Sequence, residues 1–289
     1  MWNLNYDSIT QIDGILRENG LAMSKKFGQN FLVSARMREG IADLVEAEDG
    51  MAVWEIGPGL GAITIEMLKR KARVTAFEID HGFAEILRNR AFSDEEGFTL
   101  VEGDALKTLF TRKMDAGRII GNLPYNVGSQ IIARLIEASY LPDRMVFTLQ
   151  REVCDRIVAK PGDEDYSSFS VLTNIDYSTR IAMNIRRGCF WPQPNVDSAV
   201  VVMERKRSAV SDDARPMMLR LVRSAFAQRR KTLRNNLSSS SFSSLAGKDA
   251  IEGVFSRMGL TGSERAETLS VERLAEMASY LAAICVAKE

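Results

Sequence analysis

The chain has few of the residues that build metal and redox sites. Its 289 residues include one histidine, His81, and three cysteines, Cys154, Cys189 and Cys285, which lie far apart and form no CxxC pair. Metal centres and disulfide frameworks need Cys or His ligands at close, regular spacing. The sequence therefore predicts no bound metal and three reduced, mostly structural thiols.

Long apolar runs are also missing. The longest fall far short of the roughly 20 residues that a membrane-spanning helix needs. The N-terminus has acids and amides where a signal peptide would carry basic residues and then an apolar block. Hydrophobic residues still make up 45% of the chain and charged residues 26%, which is typical of a globular protein with a core. We therefore expect a cytoplasmic protein without membrane contact.

The chain carries no net charge, because 38 acidic residues balance 38 basic ones. The distribution is uneven, since residues 214–247 contain no acid but seven basic side chains: Arg215, Arg220, Arg223, Arg229, Arg230, Lys231 and Arg234. If residues 218–237 form a helix with Leu219, Val222 and Phe226 facing the core, most of the arginines point outward. Such a face is either an ordinary solvated helix surface or a site for nucleic-acid phosphates.

Strand and helix patterns alternate from residue 51 to residue 207. Helix patterns separate five apolar, β-rich segments, namely 51–57, 73–80, 98–104, 118–120 and 145–150. This alternation predicts an α/β fold with a parallel sheet covered on both faces. Two further strand-like segments, 174–185 and 197–206, follow without a helix between them, which predicts an antiparallel pair at the far edge.

The strand patterns stop at a linker-like segment, "SAVSDDA" (208–214). Beyond it, residues 215–237 and 270–289 have helical patterns, with a serine-rich loop predicted at 238–244. The sequence therefore predicts two domains, 1–207 and a small helical domain at 208–289. Residues 1–24 form an N-terminal extension to which the sequence assigns no role.

A glycine-rich segment, "EIGPGLG" (55–61), lies between the first strand and its helix. Gly57, Gly59 and Gly61 allow a ligand to approach the main chain closely. Pro58 removes an N–H that a pyrophosphate could use, and the GxGxG spacing differs from the dinucleotide GxGxxG. Alone, the segment fits a purely structural turn equally well.

Two acids follow at the ends of the next strands. Glu78 stands 21 residues after Gly57, where a carboxylate can accept both ribose hydroxyls of a nucleoside. Asp104 ends the third strand, near the expected position of an adenine amino group. Because the carboxyl ends of parallel strands meet at one cleft, these elements predict a nucleoside cofactor. NAD and S-adenosylmethionine both remain possible at this point.

The segment "GNLPYN" (121–126) follows the fourth strand. The side-chain carbonyl of Asn122 can accept a hydrogen bond from an exocyclic amino group. Pro124 keeps Leu123 out of helical geometry, so main-chain carbonyls can turn toward the cleft, and Tyr125 offers a flat face for a base. The residues suit an aromatic amine, although a turn capped by Asn122 would use the same ones. An adenine N6 held by two acceptors could attack a methyl-sulfonium in line, with positioning as the main catalytic device.

These segments resemble the S-adenosylmethionine-dependent adenine-N6 methyltransferases of ribosomal RNA, and more narrowly the branch that acts on the small subunit. The resemblance extends through nearly the whole chain, in the order "KKFGQNFL" (25–32), "EIGPGLG", "EID" (78–80), "GDAL", "GNLPYN", "LQREVCDRIVA" (149–159), "FWPQPNVDSAV" (190–200), "QRRKTLRNNL" (228–237) and "ERAETLSVERLAEMA" (264–278). It implies a Rossmann-like class I methyltransferase domain with a mostly parallel seven-stranded sheet, followed by a small helical domain. Trp191 departs from the pattern, because a smaller residue is expected there.

The resemblance also implies residue roles. Asn30 and Leu32 would close over the cofactor. The implied cofactor-binding residues are Asn30, Leu32, Glu55, Gly57, Gly59, Glu78, Asp104, Ala105 and Asn122. The implied catalytic residues are Asn122, Leu123, Pro124, Tyr125 and Phe190. In this scheme Asn122 and the Leu123–Pro124 backbone receive the amino group, and Tyr125 and Phe190 flank a base drawn out of its stack.

The implied reaction transfers four methyl groups to two adjacent adenosines in the 3′-terminal hairpin of small-subunit rRNA. The expected enzyme is a monomer that acts on a pre-30S particle. The expected RNA-binding residues are Arg223, Arg229, Arg230, Lys231 and Arg234, with Lys25, Lys26, Arg186 and Arg187 extending the basic surface. The alternatives are a large-subunit rRNA methyltransferase of the macrolide-resistance type and a non-catalytic assembly factor with the same fold. A nicotinamide dehydrogenase fits the glycine segment poorly.

Overall fold

The structure is a computed structural model that describes residues 2–21, 30–238 and 241–286. Its contacts divide the chain into two compact units. The sheet unit comprises Met1–Cys154 and Arg180–Arg205, and the helical unit comprises Asp155–Thr179 and Lys206–Glu289. The helical unit thus includes residues that the predicted boundary at 207 assigns to the first domain; that boundary stays a prediction.

Nine strands are found in the described part of the chain. They are β1 Phe31–Leu32, β2 Ala52–Ile56, β3 Arg73–Glu78, β4 Phe98–Glu102, β5 Arg118–Asn122, β6 Arg144–Gln150, β7 Tyr177–Ile185, β8 Phe190–Trp191 and β9 Ser198–Arg205. Seven of them form one sheet in the order β4-β3-β2-β5-β6-β9-β7. The pairs from β4 to β6 are parallel, whereas β9 runs antiparallel to β6. The predicted mostly parallel, seven-stranded α/β sheet is confirmed.

Helices follow most of the strands, and the described residues contain thirteen α-helices in all. They are α1 Ile9–Glu18, α2 Ala35–Leu44, α3 Thr64–Lys69, α4 His81–Ile86, α5 Ala105–Thr108, α6 Gly128–Glu137, α7 Arg151–Val158, α8 Ser168–Asp176, α9 Arg215–Ala225, α10 Leu233–Ser238, α11 Ser241–Ala246, α12 Lys248–Arg257 and α13 Val271–Val286. A short π-helix, Leu87–Ala91, continues α4.

The central strands are mostly apolar and buried, as expected for a sheet that helices cover on both faces. In β6 every residue from Met145 to Leu149 is buried. On one face, Ile120 and Val146 pack with Leu32 of β1 and Phe190 of β8. The small antiparallel ladder of β1 and β8 therefore contributes side chains directly to the core of the sheet unit.

The predicted continuous helix over 215–237 is wrong. Helix α9 ends at Ala225, and a turn separates it from α10, which begins at Leu233. The side chain of Asn236 donates to the carbonyls of Ala225 at 2.7 Å and Gln228 at 3.0 Å. These bonds satisfy main-chain acceptors that the end of a helix leaves without partners, so the break is stable.

Two other local predictions need correction. Residues 241–244 lie in α11 rather than in a serine-rich loop. The strand predicted over 174–185 begins only at Tyr177, because residues 174–176 end α8. A capping box, in which Ser167 and Ser170 exchange side-chain and main-chain bonds, fixes the start of α8.

Candidate active site

Two adjacent pockets open at the carboxyl ends of β2, β3 and β5. The first pocket is lined by Asn30, Phe31, Leu32, Glu55, Gly57, Pro58, Gly59, Ala62, Ile63, Glu78, Ile79, Phe83, Asn122, Leu123, Pro124 and Tyr125. The second pocket is lined by Ile56, Gly57, Phe77, Ile79, Gly103, Asp104, Ala105, Leu106, Pro124, Asn126, Val127 and Ile131. Gly57, Ile79 and Pro124 line both, so the two pockets adjoin along these residues.

The glycine segment after β2 requires a backbone that only glycine adopts readily. Gly57, Gly59 and Gly61 have φ angles of +70°, +59° and +87°, which lie in the left-handed region. A Cβ at Gly61 would also lie 2.5 Å from the ring of Phe92. The turn therefore presents bare main chain to the first pocket.

Glu78 closes this turn from the end of β3. Its Oε2 accepts the N–H of Gly59 at 3.0 Å, and its Oε1 accepts the N–H of Asp80 at 2.8 Å. Burial raises the pKa of Glu78 to about 7, while the main-chain N–H groups of Asp80, Gly59 and Ile79 oppose that rise. A carboxylate has about four lone-pair sites, so Glu78 can still accept a hydrogen bond from a ligand.

A second buried acid, Glu55, lies at the end of β2. Its Oε2 accepts the hydroxyl of Thr64 at 2.6 Å. Burial raises the pKa of Glu55 to about 7, and the nearby charge of Glu78 adds to the rise. Two carboxyl groups that titrate near neutral pH in one pocket wall favour a positively charged ligand.

Asp104 and Ala105 line the second pocket instead of the first. Asp104 is the N-cap of α5, and its Oδ1 accepts the N–H of Leu106 at 2.9 Å. The capping bond thus accounts for one of the two carboxylate oxygens of Asp104. Ala105 is 9% exposed.

Asn122 is held by a residue predicted for the same site. Its Nδ2 donates to the main-chain carbonyl of Asn30 at 3.0 Å. This bond uses one of the two amide N–H donors and fixes the side chain, and Oδ1 is the atom with which Asn122 can accept a hydrogen bond from a ligand. The structure therefore brings together two asparagines from distant parts of the sequence.

The two residues after Asn122 have different main-chain partners. The N–H of Leu123 donates to the carbonyl of Thr148 at 3.1 Å, and the Leu123 side chain is buried. The Pro124 carbonyl already accepts the N–H groups of Val127 at 3.2 Å and Gly128 at 3.0 Å. The Pro124 carbonyl is thus occupied by N–H groups at the start of α6. Of the two predicted acceptors for the target amino group, the Leu123 carbonyl is therefore the better placed.

Tyr125 lines the first pocket with its phenol anchored. Its hydroxyl lies 2.7 Å from Oγ of Ser198 at the start of β9. Burial raises the pKa of Tyr125, and the bond to Ser198 opposes that rise. The bond to Ser198 fixes the plane of the ring, and part of the ring borders the first pocket.

Phe190 does not lie with the other predicted catalytic residues. Its side chain is 4% exposed and packs in the core, and its β8 position pairs with Leu32 of β1. In the described part of the chain Phe190 lines neither pocket. Its predicted stacking on a target base stays a prediction. The neighbouring Trp191 stacks on Phe31 with ring centres 6.3 Å apart and planes inclined by 17°.

Ile79, Phe31 and Ser198 are not among the site residues predicted from the sequence. Ile79 is 47% exposed between two acids and lines both pockets. An apolar residue directly after a strand-end acid, as in "EID", was the signal for it. Ser198 has no such signal, because its role depends on contact with Tyr125.

The predicted RNA-binding residues lie in the helical unit and are exposed, but they differ in their partners. Arg229 donates to Glu267 at 2.9 Å and to the carbonyl of Glu164. Arg234 donates to Glu252 at 2.9 Å. These two guanidinium groups are therefore engaged within the unit.

Arg230 and Lys231 lie in the turn after α9, and Arg223 lies on α9 itself. Arg215, which the sequence counts among the seven basic residues, is 8% exposed and pairs with Asp176 in the interior. Lys25 and Lys26 fall outside the described residues.

Some kinds of site are not found in residues 2–21, 30–238 and 241–286. None of the helices there is long and apolar enough to cross a membrane. No group of three or more His, Cys, Asp or Glu side chains there lies close enough to hold a metal ion. Cys154, Cys189 and Cys285 form no disulfide bond.

The sheet order, the glycine turn after β2 and the strand-end acids define a Rossmann-like methyltransferase. The family model for ribosomal RNA adenine dimethylase matches residues 20–283. The chain belongs to this family, and the predicted family is confirmed.

Two bacterial relatives share most of the chain. A Treponema denticola protein named ribosomal RNA small subunit methyltransferase A is 41% identical over 271 residues, covering 92% of each chain. A Bacillus pumilus protein of the same name is 35% identical over 288 residues, covering 96% of this chain and 98% of the relative.

Solved structures are similar in fold. A dimethyladenosine transferase from Plasmodium falciparum superposes with a TM-score of 0.71 and 21% identity, covering 84% of this chain and 94% of that one. The 23S rRNA methyltransferase ErmE superposes with a TM-score of 0.63 and 23% identity, covering 86% of this chain and 98% of that one.

Proposed function

We propose that the protein is a 16S rRNA (adenine-N6,N6)-dimethyltransferase. It transfers four methyl groups from S-adenosylmethionine to two adjacent adenosines in the 3′-terminal hairpin of small-subunit rRNA. The observation that carries the proposal is the turn after β5, where Asn122 and Tyr125 border the same pocket as Glu78 and the glycine segment. An amine site and a nucleoside site thus share one cleft.

The charges around the first pocket favour S-adenosylmethionine over NAD. S-adenosylmethionine carries a sulfonium and an ammonium group, which suit a wall that contains Glu55 and Glu78. The pyrophosphate of NAD would meet the same two acids, and Pro58 offers it no N–H. Glu78 would hold the ribose, the bare backbone at Gly57 and Gly59 would face the methionine part, and Asp104 and Ala105 would border the adenine.

Leu32 and Asn30 are the remaining residues that we assign to the cofactor pocket. Leu32 lies in β1, and the Asn30 carbonyl is fixed by Asn122. Exclusion of water from a small apolar-walled site strengthens each polar interaction inside it. When bound, the cofactor supplies an electrophilic methyl group.

The target adenine needs to be oriented more than it needs a general base to remove its proton. Oδ1 of Asn122 and the Leu123 carbonyl provide two acceptors for the N6 hydrogens, which turns the nitrogen lone pair out of conjugation with the ring. Tyr125 holds the base by its flat face. The amine becomes acidic only as it gains the methyl group, so a strong base is not required, and positioning supplies most of the rate.

RNA is bound by charge on the helical unit. Arg223, Arg230 and Lys231 are the exposed basic residues that we assign to phosphate contacts, and Arg229 and Arg234 support the surface while contributing positive charge. The partner is small-subunit rRNA in a pre-30S particle, recognised by shape and backbone. We expect a monomer that works in the cytoplasm.

The deciding experiment is labelled methyl transfer to 30S particles that lack the modification, with 50S particles as the control substrate. The proposal expects label in two adjacent adenosines of 16S rRNA, each dimethylated. Label only in 23S rRNA would identify the macrolide-resistance type of enzyme. Particle binding without transfer would identify an assembly factor.

A further inference from the structure

The N-terminal segment, residues 2–21, packs against other parts of the sheet unit to which it belongs. Ile12 and Leu16 of α1 are buried in a cluster with Phe31, Leu60 and Phe83. Phe31 and Phe83 line the first pocket, and Leu60 belongs to the glycine segment. The N-terminal segment thus lies directly behind the walls of the cofactor site.

Tyr6 joins the N-terminal segment to the glycine turn. Its hydroxyl donates to the Leu60 carbonyl at 2.8 Å and accepts the indole N–H of Trp2 at 2.9 Å. Tyr6 is 7% exposed, so loss of its hydroxyl would leave a buried carbonyl without a donor. Leu60 lies between Gly59 and Gly61, whose conformations shape the turn.

Arg38 joins the same segment to β1. Its guanidinium donates to the Leu32 carbonyl at 3.0 Å and pairs with Asp7 at 2.8 Å. It also lies over the Tyr6 ring, 5.5 Å from its centre. Arg38 is 5% exposed, so these partners hold it in one position beneath the strand that carries Leu32.

Leu21 joins the segment to the start of α4. A Cβ on Gly82 would lie 2.2 Å from a methyl carbon of Leu21, so the two residues are in close contact. The N–H of Gly82 donates to Asp80 at 3.0 Å, and the N–H of Asp80 donates to Glu78. Two hydrogen bonds therefore connect this third contact with Glu78, the proposed ribose acceptor.

We propose that the N-terminal segment positions the cofactor pocket. Tyr6 holds the glycine turn, Asp7 holds β1 through Arg38 of α2, and Leu21 contacts the start of α4. These three contacts reach Leu60, Arg38 and Gly82, none of which we assign to the cofactor, so Tyr6, Asp7 and Leu21 are positioning residues. Fixing three walls before the ligand arrives lowers the ordering cost of binding. This inference rests on the proposed function, because it assumes that the pocket takes S-adenosylmethionine.

The first test compares Tyr6→Phe with Trp2→Phe in the full chain. Tyr6→Phe removes the bond to Leu60, whereas Trp2→Phe removes the indole donor and leaves that bond in place. We expect Tyr6→Phe to weaken S-adenosylmethionine binding by about tenfold, as expected for one lost hydrogen bond to a buried group. Trp2→Phe should stay within about twofold of the unchanged protein. Calorimetric titration gives the Kd values, and kcat at saturating cofactor should change little for either variant.

Hydrogen exchange separates positioning from general destabilisation. The amides of Gly57, Gly59, Leu60 and Gly61 should exchange faster in Tyr6→Phe alone, while those of β5 and β6 stay protected. Equal weakening of cofactor binding by both variants would overturn the proposal, as would binding by Tyr6→Phe that matches the unchanged protein.

A second test uses the contact between Leu21 and Gly82, and it does not depend on Tyr6→Phe folding. Gly82→Ala should displace Leu21 and weaken cofactor binding, and Gly82→Ala with Leu21→Ala should recover part of it by making room. Absence of both the loss and the recovery would overturn the role of this contact. If the unchanged protein itself fails to bind S-adenosylmethionine, the proposed function fails; if it binds and methylates while every variant matches it, only this inference fails.

Discussion

The hydroxyl of Tyr125 lies 2.7 Å from the hydroxyl of Ser198. Tyr125 follows β5, and Ser198 begins β9 and is 1% exposed, so the bond joins the turn after one strand to the start of another. Since β6 lies between β5 and β9, the bond spans the end of the intervening strand. It fixes the face that Tyr125 presents to the proposed base.

Tyr125→Phe keeps the ring and loses this bond. We expect a several-fold fall in kcat, corresponding to about 1 kcal/mol for one hydrogen bond, with cofactor Kd unchanged. Ser198→Ala should give a similar fall, and the double variant should be no worse than either single one, because both remove the same bond. Single-turnover methylation of 30S particles measures the rates. Losses that multiply in the double variant would show that the two hydroxyls act independently.

Asn122→Ala removes both the acceptor and the donor of the amide. We expect transfer to fall by about 100-fold or more, as for other groups that orient a reacting atom. Because Asn122 also holds the Asn30 carbonyl, cofactor binding should weaken modestly, by about the few-fold of one hydrogen bond. Asn122→Asp is the matched control, since it keeps an acceptor and loses the donor to Asn30. Near-normal methylation by Asn122→Ala would exclude the role.

The pKa values of Glu55 and Glu78 predict a pH dependence. Both are raised by burial from 4.5 to about 7, so the folded protein holds protons that the unfolded chain releases. The free energy of unfolding therefore falls as pH rises from 4.5 to 7. Chemical denaturation over this range measures it, and Glu55→Gln should flatten the fall. A free energy of unfolding that rises over this range would contradict the prediction.

Cofactor binding should show the opposite trend. Ribose hydroxyls and a cationic ligand favour the ionised Glu78, so binding releases a proton and tightens by up to about tenfold between pH 6 and 8. Calorimetry in buffers of different ionisation enthalpy counts the proton. Glu78→Gln should bind more weakly and with a flat profile. A pH-independent Kd in the unchanged protein would exclude the ionisation of Glu78 on binding.

The parts that sequence predicts well are those set by local pattern. The central strands are mostly apolar, and the positions of the glycine turn and the strand-end acids follow from the chain order of an α/β sheet. The parts it misses depend on distant partners. The break after Ala225 needs the Asn236 side chain, and the burial of Phe190 needs its pairing with Leu32. No local spacing encodes either contact.

The pair Arg215–Asp176 illustrates the same limit in the helical unit. Both guanidinium NH groups contact the carboxylate, at 3.1 and 2.8 Å, and both residues are buried. Asp176→Asn would leave a buried arginine without its counter-charge, so we expect a loss of about 3–5 kcal/mol in stability. Replacing the pair together with Met and Leu should recover much of the loss. Thermal unfolding measures both variants, and a loss below about 1 kcal/mol would contradict the prediction.

The basic residues of the helical unit should separate into two groups by their contacts. Arg230→Glu with Lys231→Glu should weaken binding to 30S particles, and the loss should be larger at low salt than at high salt because phosphate contacts are screened. Arg229→Gln is the matched control, since Arg229 is bonded to Glu267 and Glu164. It should lower the melting temperature more than the double charge reversal does and weaken particle binding less. Binding curves at two salt concentrations, with melting curves for each variant, test the division. Particle binding that is unchanged by the double reversal would exclude this turn as an RNA contact.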